Sequence, residues 1–143
     1  MPSDGLIVTA IDHLVLNVRD VEASAAWYVR LLGMVREDYR VKDGGALRTR
    51  VRFGAQMINR RAVSESPAVW FAGAAPRAGG DDLCFLTEAG PEAVLRQLAA
   101  KGIEIVAGPG PRQGARGALR SVYCRDPDGN LVEIASYADG GAR

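Results

Sequence analysis

Two residues capable of metal chemistry stand on segments that otherwise look like buried strands. The only histidine, His13, lies in an apolar run from Ile11, and near the other end Glu133 lies between Val132 and Ile134. A polar side chain among apolar neighbours costs free energy to bury unless it is hydrogen-bonded, paired or bound to a metal. An imidazole and a carboxylate so placed indicate a metal site built from distant parts of the chain. Two alternatives stay open: a hydrogen-bonded core histidine, and a solvated glutamate on an edge strand.

The elements that would position these residues begin with a strand and a helix. Residues 11–18 predict a strand, Asp20 predicts a helix N-cap, and the apolar spacing of 21–32 predicts a helix that ends at Gly33. Short alternating segments then predict three further strands, at 34–41, 47–53 and 55–63.

The same order of elements returns in the second half. Residues 82–86 predict a strand and Pro91 to Ala100 a helix, and three more strands are predicted at 103–106, 119–123 and 130–137. Residues 64–80, rich in Ser, Pro, Ala and Gly, predict an exposed connector. We therefore expect an α+β fold of two βαβββ modules, at about 8–63 and 81–137, with a cleft between curved sheets.

Composition and net charge limit the classes of protein to which the chain can belong. The chain has 143 residues, of which 48% are hydrophobic and 24% charged, and a formal net charge of +1. These values are typical of a soluble globular domain and favour neither a nucleic-acid nor a membrane partner. The N-terminus lacks a signal pattern, which favours a cytoplasmic location, and Cys84 and Cys124 are expected to be buried thiols.

Several segments together resemble a known superfamily. They are Ile11 to Leu16, Trp27-Tyr28 with Leu32-Gly33-Met34, and most specifically the stretch from Pro111 to Glu133. On these segments, from about Val8 to Tyr137, the chain resembles the vicinal oxygen chelate superfamily of glyoxalase I, extradiol dioxygenases and fosfomycin- and bleomycin-resistance proteins. It looks closest to the branch of glyoxalase domain-containing proteins and their bacterial virulence-related relatives.

The resemblance implies a fold, a metal and a ligand set. The fold would be a single domain, 8–137, with a curved, U-shaped mixed sheet around a central cleft, and two-module members commonly form homodimers. The metal would be a divalent ion (Mn, Fe, Ni, Zn or Mg) held by His13, Asp82 and Glu133, with Asp82 replacing the commoner second histidine. An acid at Asp82 could instead pair with an arginine or cap a turn.

The resemblance also implies a reaction class. A metal-dependent lyase or isomerase would act on a small substrate with vicinal oxygens through a metal-chelated enolate. An extradiol dioxygenase-like oxygenase and a non-enzymatic antibiotic-binding protein are the alternatives. The last strand of the first module, Met57 to Ala62, lacks the glutamate ligand that glyoxalase I carries there, and Arg61 stands where close relatives often carry histidine. This departure argues against glyoxalase I activity.

Substrate contacts are expected from residues that line the cleft. Arg112 and Arg116 bracket a glycine-containing loop and could grip a carboxylate or phosphate, although a solvated hairpin loop explains them equally well. Asn17, Asn59, Arg61 and Tyr123 are the other candidates for contact with a small-molecule substrate.

Overall fold

The computed structural model describes residues 4–42 and 44–139 and confirms two βαβββ modules. The first module consists of β1 His13–Val18, α1 Val21–Leu32, β2 Val35–Arg40, β3 Leu47–Phe53 and β4 Gln56–Ala62. The second consists of β5 Asp82–Leu86, α2 Pro91–Ala100, β6 Ala107–Gly114, β7 Gly117–Arg125 and β8 Leu131–Tyr137. The expected α+β class is therefore confirmed.

Each module folds into one four-stranded mixed sheet. The strand orders are β1-β4-β3-β2 in the first sheet, called sheet A, and β5-β8-β7-β6 in the second, called sheet B. The pairs β1–β4 and β5–β8 are parallel, and the other pairs are antiparallel. Strands β1 and β5 therefore lie at the edges of their sheets, and no ladder joins the two sheets in the described part of the chain.

Helix α1 begins and ends where its sequence predicts. The Asp20 side chain accepts a hydrogen bond from the Ala23 backbone N–H at 3.0 Å, which satisfies a free donor of the first turn. Gly33 ends the helix in the left-handed conformation, at a φ of 65°. Helix α2 likewise begins with Pro91 at its first turn.

Each sheet has one face covered by its helix and one face that is open. In sheet A the helix side buries Leu16, Val18 and Ile58 against α1, and in sheet B it buries Val122 and Val132 against α2.

The two helix-covered faces meet each other inside the chain. Phe85 of β5 packs on both cores, and its ring lies edge-on to Phe53 at 5.4 Å and to Tyr28 at 6.1 Å. The open faces of sheets A and B are consequently turned away from this contact.

Residues 126–130, whose Asp, Pro and Gly content is typical of a turn, also join the modules. The buried Asp126 carboxylate accepts hydrogen bonds from the Tyr28 hydroxyl at 2.8 Å and from the backbone N–H groups of Asp128 and Asn130. The Asn130 side-chain amide donates a fourth, at 2.8 Å. Asp128 accepts from the Arg19 backbone N–H at 2.9 Å, so this turn holds the first module at two places.

Two expectations about local structure are wrong. Residues 103–106 form no strand, and the second strand of the second module is instead β6, whose glycines and prolines lack the β-branched pattern. Arg112 therefore lies on a strand rather than in a loop.

Cys124 is buried as expected, but Cys84 is exposed because it lies on the open face of β5.

No helix within 4–42 and 44–139 is long and apolar enough to cross a membrane.

Candidate metal and substrate site

The open face of sheet B gathers two carboxylates around a thiol and a phenol. The register places Glu133 of β8 between Cys84 of β5 and Tyr123 of β7, and directly paired residues share a face. Asp82, two residues before Cys84, lies on the same face. This surface, called the acidic face, consists of Asp82, Cys84, Ser121, Tyr123 and Glu133. Alternation along β8 explains it, because Val132 and Ile134 point into the core.

Three side chains of the acidic face, Ser121, Cys84 and Tyr123, surround Glu133. The Ser121 hydroxyl donates to its Oε2 at 2.6 Å. Partial burial of the Cys84 thiol, and then the charge of Glu133 and a hydrogen bond to Glu133, raise the pKa of this thiol to about 11. Burial and a bond to Glu133 also raise the pKa of Tyr123. Both groups therefore stay protonated at neutral pH and orient the carboxylate.

Tyr123 is in turn fixed by Arg112. The Arg112 Nε–H donates to the Tyr123 hydroxyl at 3.0 Å, and the guanidinium carbon lies 5.1 Å from the ring centroid. Arg112, a predicted substrate contact, is thus connected through Tyr123 to Glu133. Arg116 lies elsewhere on the β6–β7 hairpin, where its guanidinium packs over the Tyr137 ring at 4.5 Å.

His13 lies at the start of edge strand β1 with one ring nitrogen already engaged. Its Nδ1 is 2.8 Å from the Asp12 carboxylate, and 45% of its side chain is exposed. A carboxylate on Nδ1 orients the imidazole and leaves Nε2 available as a ligand. Asp82 is exposed, and its carboxylate accepts no hydrogen bond from any described residue.

One chain brings together only part of the predicted ligand set. His13 and Asp82 line the same cavity of about 300 Å³, which runs along the edges β1 and β5. Glu133 does not line that cavity, and among the described residues no three His, Cys, Asp or Glu side chains are grouped closely enough to hold a metal. Each of the three residues nevertheless keeps a free ligand atom, so their chemistry suits a divalent cation.

The remaining predicted contacts lie on the open face of sheet A. The register pairs Asn17 with Arg61, and Arg61 Nη1 donates to Asn17 Oδ1 at 3.0 Å. Arg61 is only 1% exposed and also donates to the carbonyls of Glu65 and Trp70. It therefore fixes the segment after β4 and has no free edge for a metal-bound group. Asn59 is buried on the same face.

Sequence reasoning missed four polar residues of these faces. Ser121 carries no signal of its own, because a single serine in a strand is unremarkable. Arg48, Arg50 and Arg52 alternate along β3, and this period of two could have indicated a basic sheet face.

Comparison with known proteins decides the family. The model of the glyoxalase/bleomycin resistance protein/dioxygenase superfamily matches residues 10–134. The chain belongs to this superfamily. The chain is 37% identical to virulence protein STM3117 of Salmonella typhimurium over 134 residues, covering 92% of this chain and 87% of that protein. It is 36% identical to glyoxalase domain-containing protein RDO1 of Mycosarcoma maydis, covering 94% and 72%.

Solved structures of the superfamily have the same fold. The crystal structure of STM3117 superposes with a TM-score of 0.80, over 93% of this chain and all of that one (100%), at 38% identity. Two less similar structures show the fold alone. Lactoylglutathione lyase from Agrobacterium tumefaciens superposes with a TM-score of 0.66 at 24% identity, over 91% of this chain and 95% of that one. The antibiotic-binding protein TnmS3 from a Streptomyces species superposes with a TM-score of 0.68 at 19% identity, over 94% and 100%. Proteins that share this fold thus include an enzyme and an antibiotic-binding protein.

Proposed function

We propose that the chain is a metal-dependent enzyme acting on a small substrate with two neighbouring oxygens, by lyase or isomerase chemistry. The acidic face carries this proposal. Asp82 and Glu133 lie on adjacent strands, and neither forms an ion pair with a described Lys or Arg. Neighbouring carboxylates without a cationic partner repel each other, so a bound cation stabilises them.

His13, Asp82 and Glu133 would hold the ion. One imidazole nitrogen and two carboxylate oxygens accept Mn, Fe, Ni, Zn or Mg, and three protein ligands leave positions open for substrate oxygens. When bound, such an ion polarises a carbonyl and stabilises an enolate. The chain's own part is orientation: Asp12 fixes the imidazole, and Ser121 and Tyr123 fix Glu133.

The proposal concerns a single domain, 8–137, of a cytoplasmic protein. A second copy of the chain, in a homodimer, would complete the metal site. Inside one chain His13 shares a cavity with Asp82 and Cys84, but Glu133 does not line it, so the three proposed ligands do not meet in one cleft. A dimer with β1 beside the partner's β5 would bring His13 to the partner's Asp82. Support comes from unpaired edges at β1 and β5, and from an exposed aliphatic segment before β1: Leu6, Ile7, Val8 and Ile11.

Metal content tests the proposal. Untagged protein purified without chelator should carry close to one divalent ion per chain by mass spectrometry. Glu133→Gln should lose it, because the amide keeps the size but removes the charge. Glu92→Gln is the matched control, since Glu92 is exposed on α2 and pairs with Arg120. Equal metal content in the two variants would contradict the ligand assignment.

A non-enzymatic binding protein is the second candidate. The observation in its favour is that the described residues of one chain form no three-ligand group. Protein that arrives without metal and cannot be reloaded with Mn, Fe, Ni or Zn would favour this function. If metal does load, oxygen consumption during turnover separates a dioxygenase-like reaction from lyase or isomerase chemistry.

A further inference from the structure

The open face of sheet A concentrates positive charge on neighbouring strands. Arg48, Arg50 and Arg52 alternate along β3 and therefore point to one side. The register pairs Arg50 with Asn59 and Arg52 with Met57, and Arg61 stands two residues beyond Asn59. All four arginines consequently share this face, called the basic face, which also carries His13 at the β1 edge.

One carboxylate of the basic face serves two of these arginines. Glu37 of β2 accepts from Arg50 Nε at 2.8 Å and from Arg52 Nε at 2.7 Å, and these bonds hold the pKa of Glu37 below its usual range. Asp12, at the corner of the face, is paired with His13 and adds only a weaker attraction to Arg52. Glu37 thus offsets the charge of two of the four arginines, Arg50 and Arg52.

The other two guanidiniums have only neutral acceptors among the described residues. Arg48 donates to the Val69 carbonyl at 3.3 Å. Arg61 donates to two carbonyls and to Asn17. Positive charge that no neighbouring acid offsets favours an anion from solution.

Aromatic rings fix the planes of the arginines. The Arg48 guanidinium carbon lies 3.8 Å from the Trp70 ring centroid, and that of Arg50 lies 4.2 Å from the Tyr39 centroid. A guanidinium stacked on a ring keeps its N–H groups directed outward, where they can contact a carboxylate. Arg50 already donates to Glu37 through Nε and Nη2 and has Nη1 left, whereas Arg48 uses only Nη2, on the Val69 carbonyl.

A buried acceptor without a partner lies beside the arginines. Asn59 is 7% exposed, and its Oδ1 receives no hydrogen bond from the described residues. Buried polar atoms are nearly always satisfied, and a carbonyl oxygen needs a donor such as a hydroxyl. Asn59 lies directly between Arg50 of β3 and Val15 of β1. The missing donor would therefore come from a molecule on the basic face.

We propose that the basic face binds a small hydroxycarboxylate, with its carboxylate on Arg48 and Arg50 and its hydroxyl on Asn59. Its role as the subsite for the anionic end of the substrate rests on the proposed function. Binding of the anion itself does not depend on the metal, because none of these residues is a proposed ligand.

Calorimetric titration of the wild-type protein in EDTA, at low salt, tests the proposal with three probes. L-malate should bind, and its neutral dimethyl ester should not. Succinate, which lacks the hydroxyl, should bind several-fold more weakly than malate. Equal affinity for succinate and malate would overturn the role of Asn59, and absence of binding by malate would overturn the whole site.

Variants locate the site. Arg48→Gln should weaken malate binding at least about tenfold, because a charge-assisted bond to the carboxylate is lost. Arg120→Gln, an exposed arginine of β7 paired with Glu92, should leave it unchanged. Equal affinity in these two variants would refute the assignment, and circular dichroism confirms that both are folded.

The same proteins separate this proposal from the metal proposal. Arg48→Gln purified without chelator should retain the metal content of the wild type, whereas Glu133→Gln in EDTA should retain malate binding. Loss of malate binding in Glu133→Gln would show that binding depends on the acidic face and would overturn the proposal.

Discussion

Removing one hydroxyl group should reveal how strongly the 126–130 turn holds the two modules together. Tyr28 is fully buried in the first core, and its hydroxyl donates to Asp126 of the second module at 2.8 Å. Tyr28→Phe deletes this bond and leaves the ring in place, so no cavity is created. The change therefore isolates one buried contact between modules.

The expected loss of stability depends on the hydrogen bonds that Asp126 keeps in the variant. A hydrogen bond to a charged group contributes about 1.5–3 kcal/mol. Asp126 keeps its bonds to Asp128 and Asn130, including one from Asn130 to the same Oδ2 atom, so the carboxylate is not left unsatisfied. We therefore expect the lower part of the range, about 1.5–2 kcal/mol.

Thermal and urea unfolding measure the effect. For a chain of this length about 1 kcal/mol shifts Tm by roughly 3–4 °C, so Tyr28→Phe should lower Tm by about 5–8 °C. Tyr39→Phe is the control, because the Tyr39 hydroxyl makes no hydrogen bond with a described residue, and it should change stability by less than about 0.5 kcal/mol. Equal effects of the two substitutions would refute the reasoning.

Two further predictions concern stability. A Cβ at Gly79, whose φ is +84°, would lie 2.3 Å from the Asp128 carbonyl oxygen, so Gly79→Ala should cost about 2 kcal/mol or more in urea unfolding. Gly54→Ala meets open space and should cost only about 1 kcal/mol for its positive φ; an equal or smaller loss for Gly79→Ala would contradict the contact. Arginine partners hold the pKa values of Glu22, Glu37 and Asp38 below their ordinary range. Their stabilisation is present above the unfolded-state values and is lost as the pH falls through the folded-state values, so Tm should decrease from about pH 5 downward. A Tm that stays constant between pH 7 and pH 3 would contradict this assignment.

The helices were predictable because their signals are local. Asp20, Gly33 and Pro91 each act within one turn of the chain, and the observed bounds of α1 and α2 equal the predicted ones. Strand β6 was not predictable from propensity, because its pairing with β7 overrides a sequence rich in glycine and proline.

The candidate site was predictable only in part. Strand alternation correctly put Glu133 on the opposite face from its apolar neighbours. The same alternation puts Cys84 on the open face, so the expectation that Cys84 is a buried thiol was wrong. The packing of the modules depends on contacts such as that of Tyr28 with Asp126, which are 98 residues apart. Such contacts leave no local pattern, so the turning of the two open faces away from each other could not be predicted.

The central claim is that the metal site is shared between two copies of the chain. Mixing two variants that each lack one proposed metal ligand tests it most directly. His13→Ala and Glu133→Gln should each lack metal. After joint unfolding and refolding, random pairing gives about half heterodimers with one intact site of two, so about a quarter of all sites should recover metal. Recovery near that level by mass spectrometry is the predicted result. A mixture that stays as metal-free as either variant alone would contradict a site built from two copies.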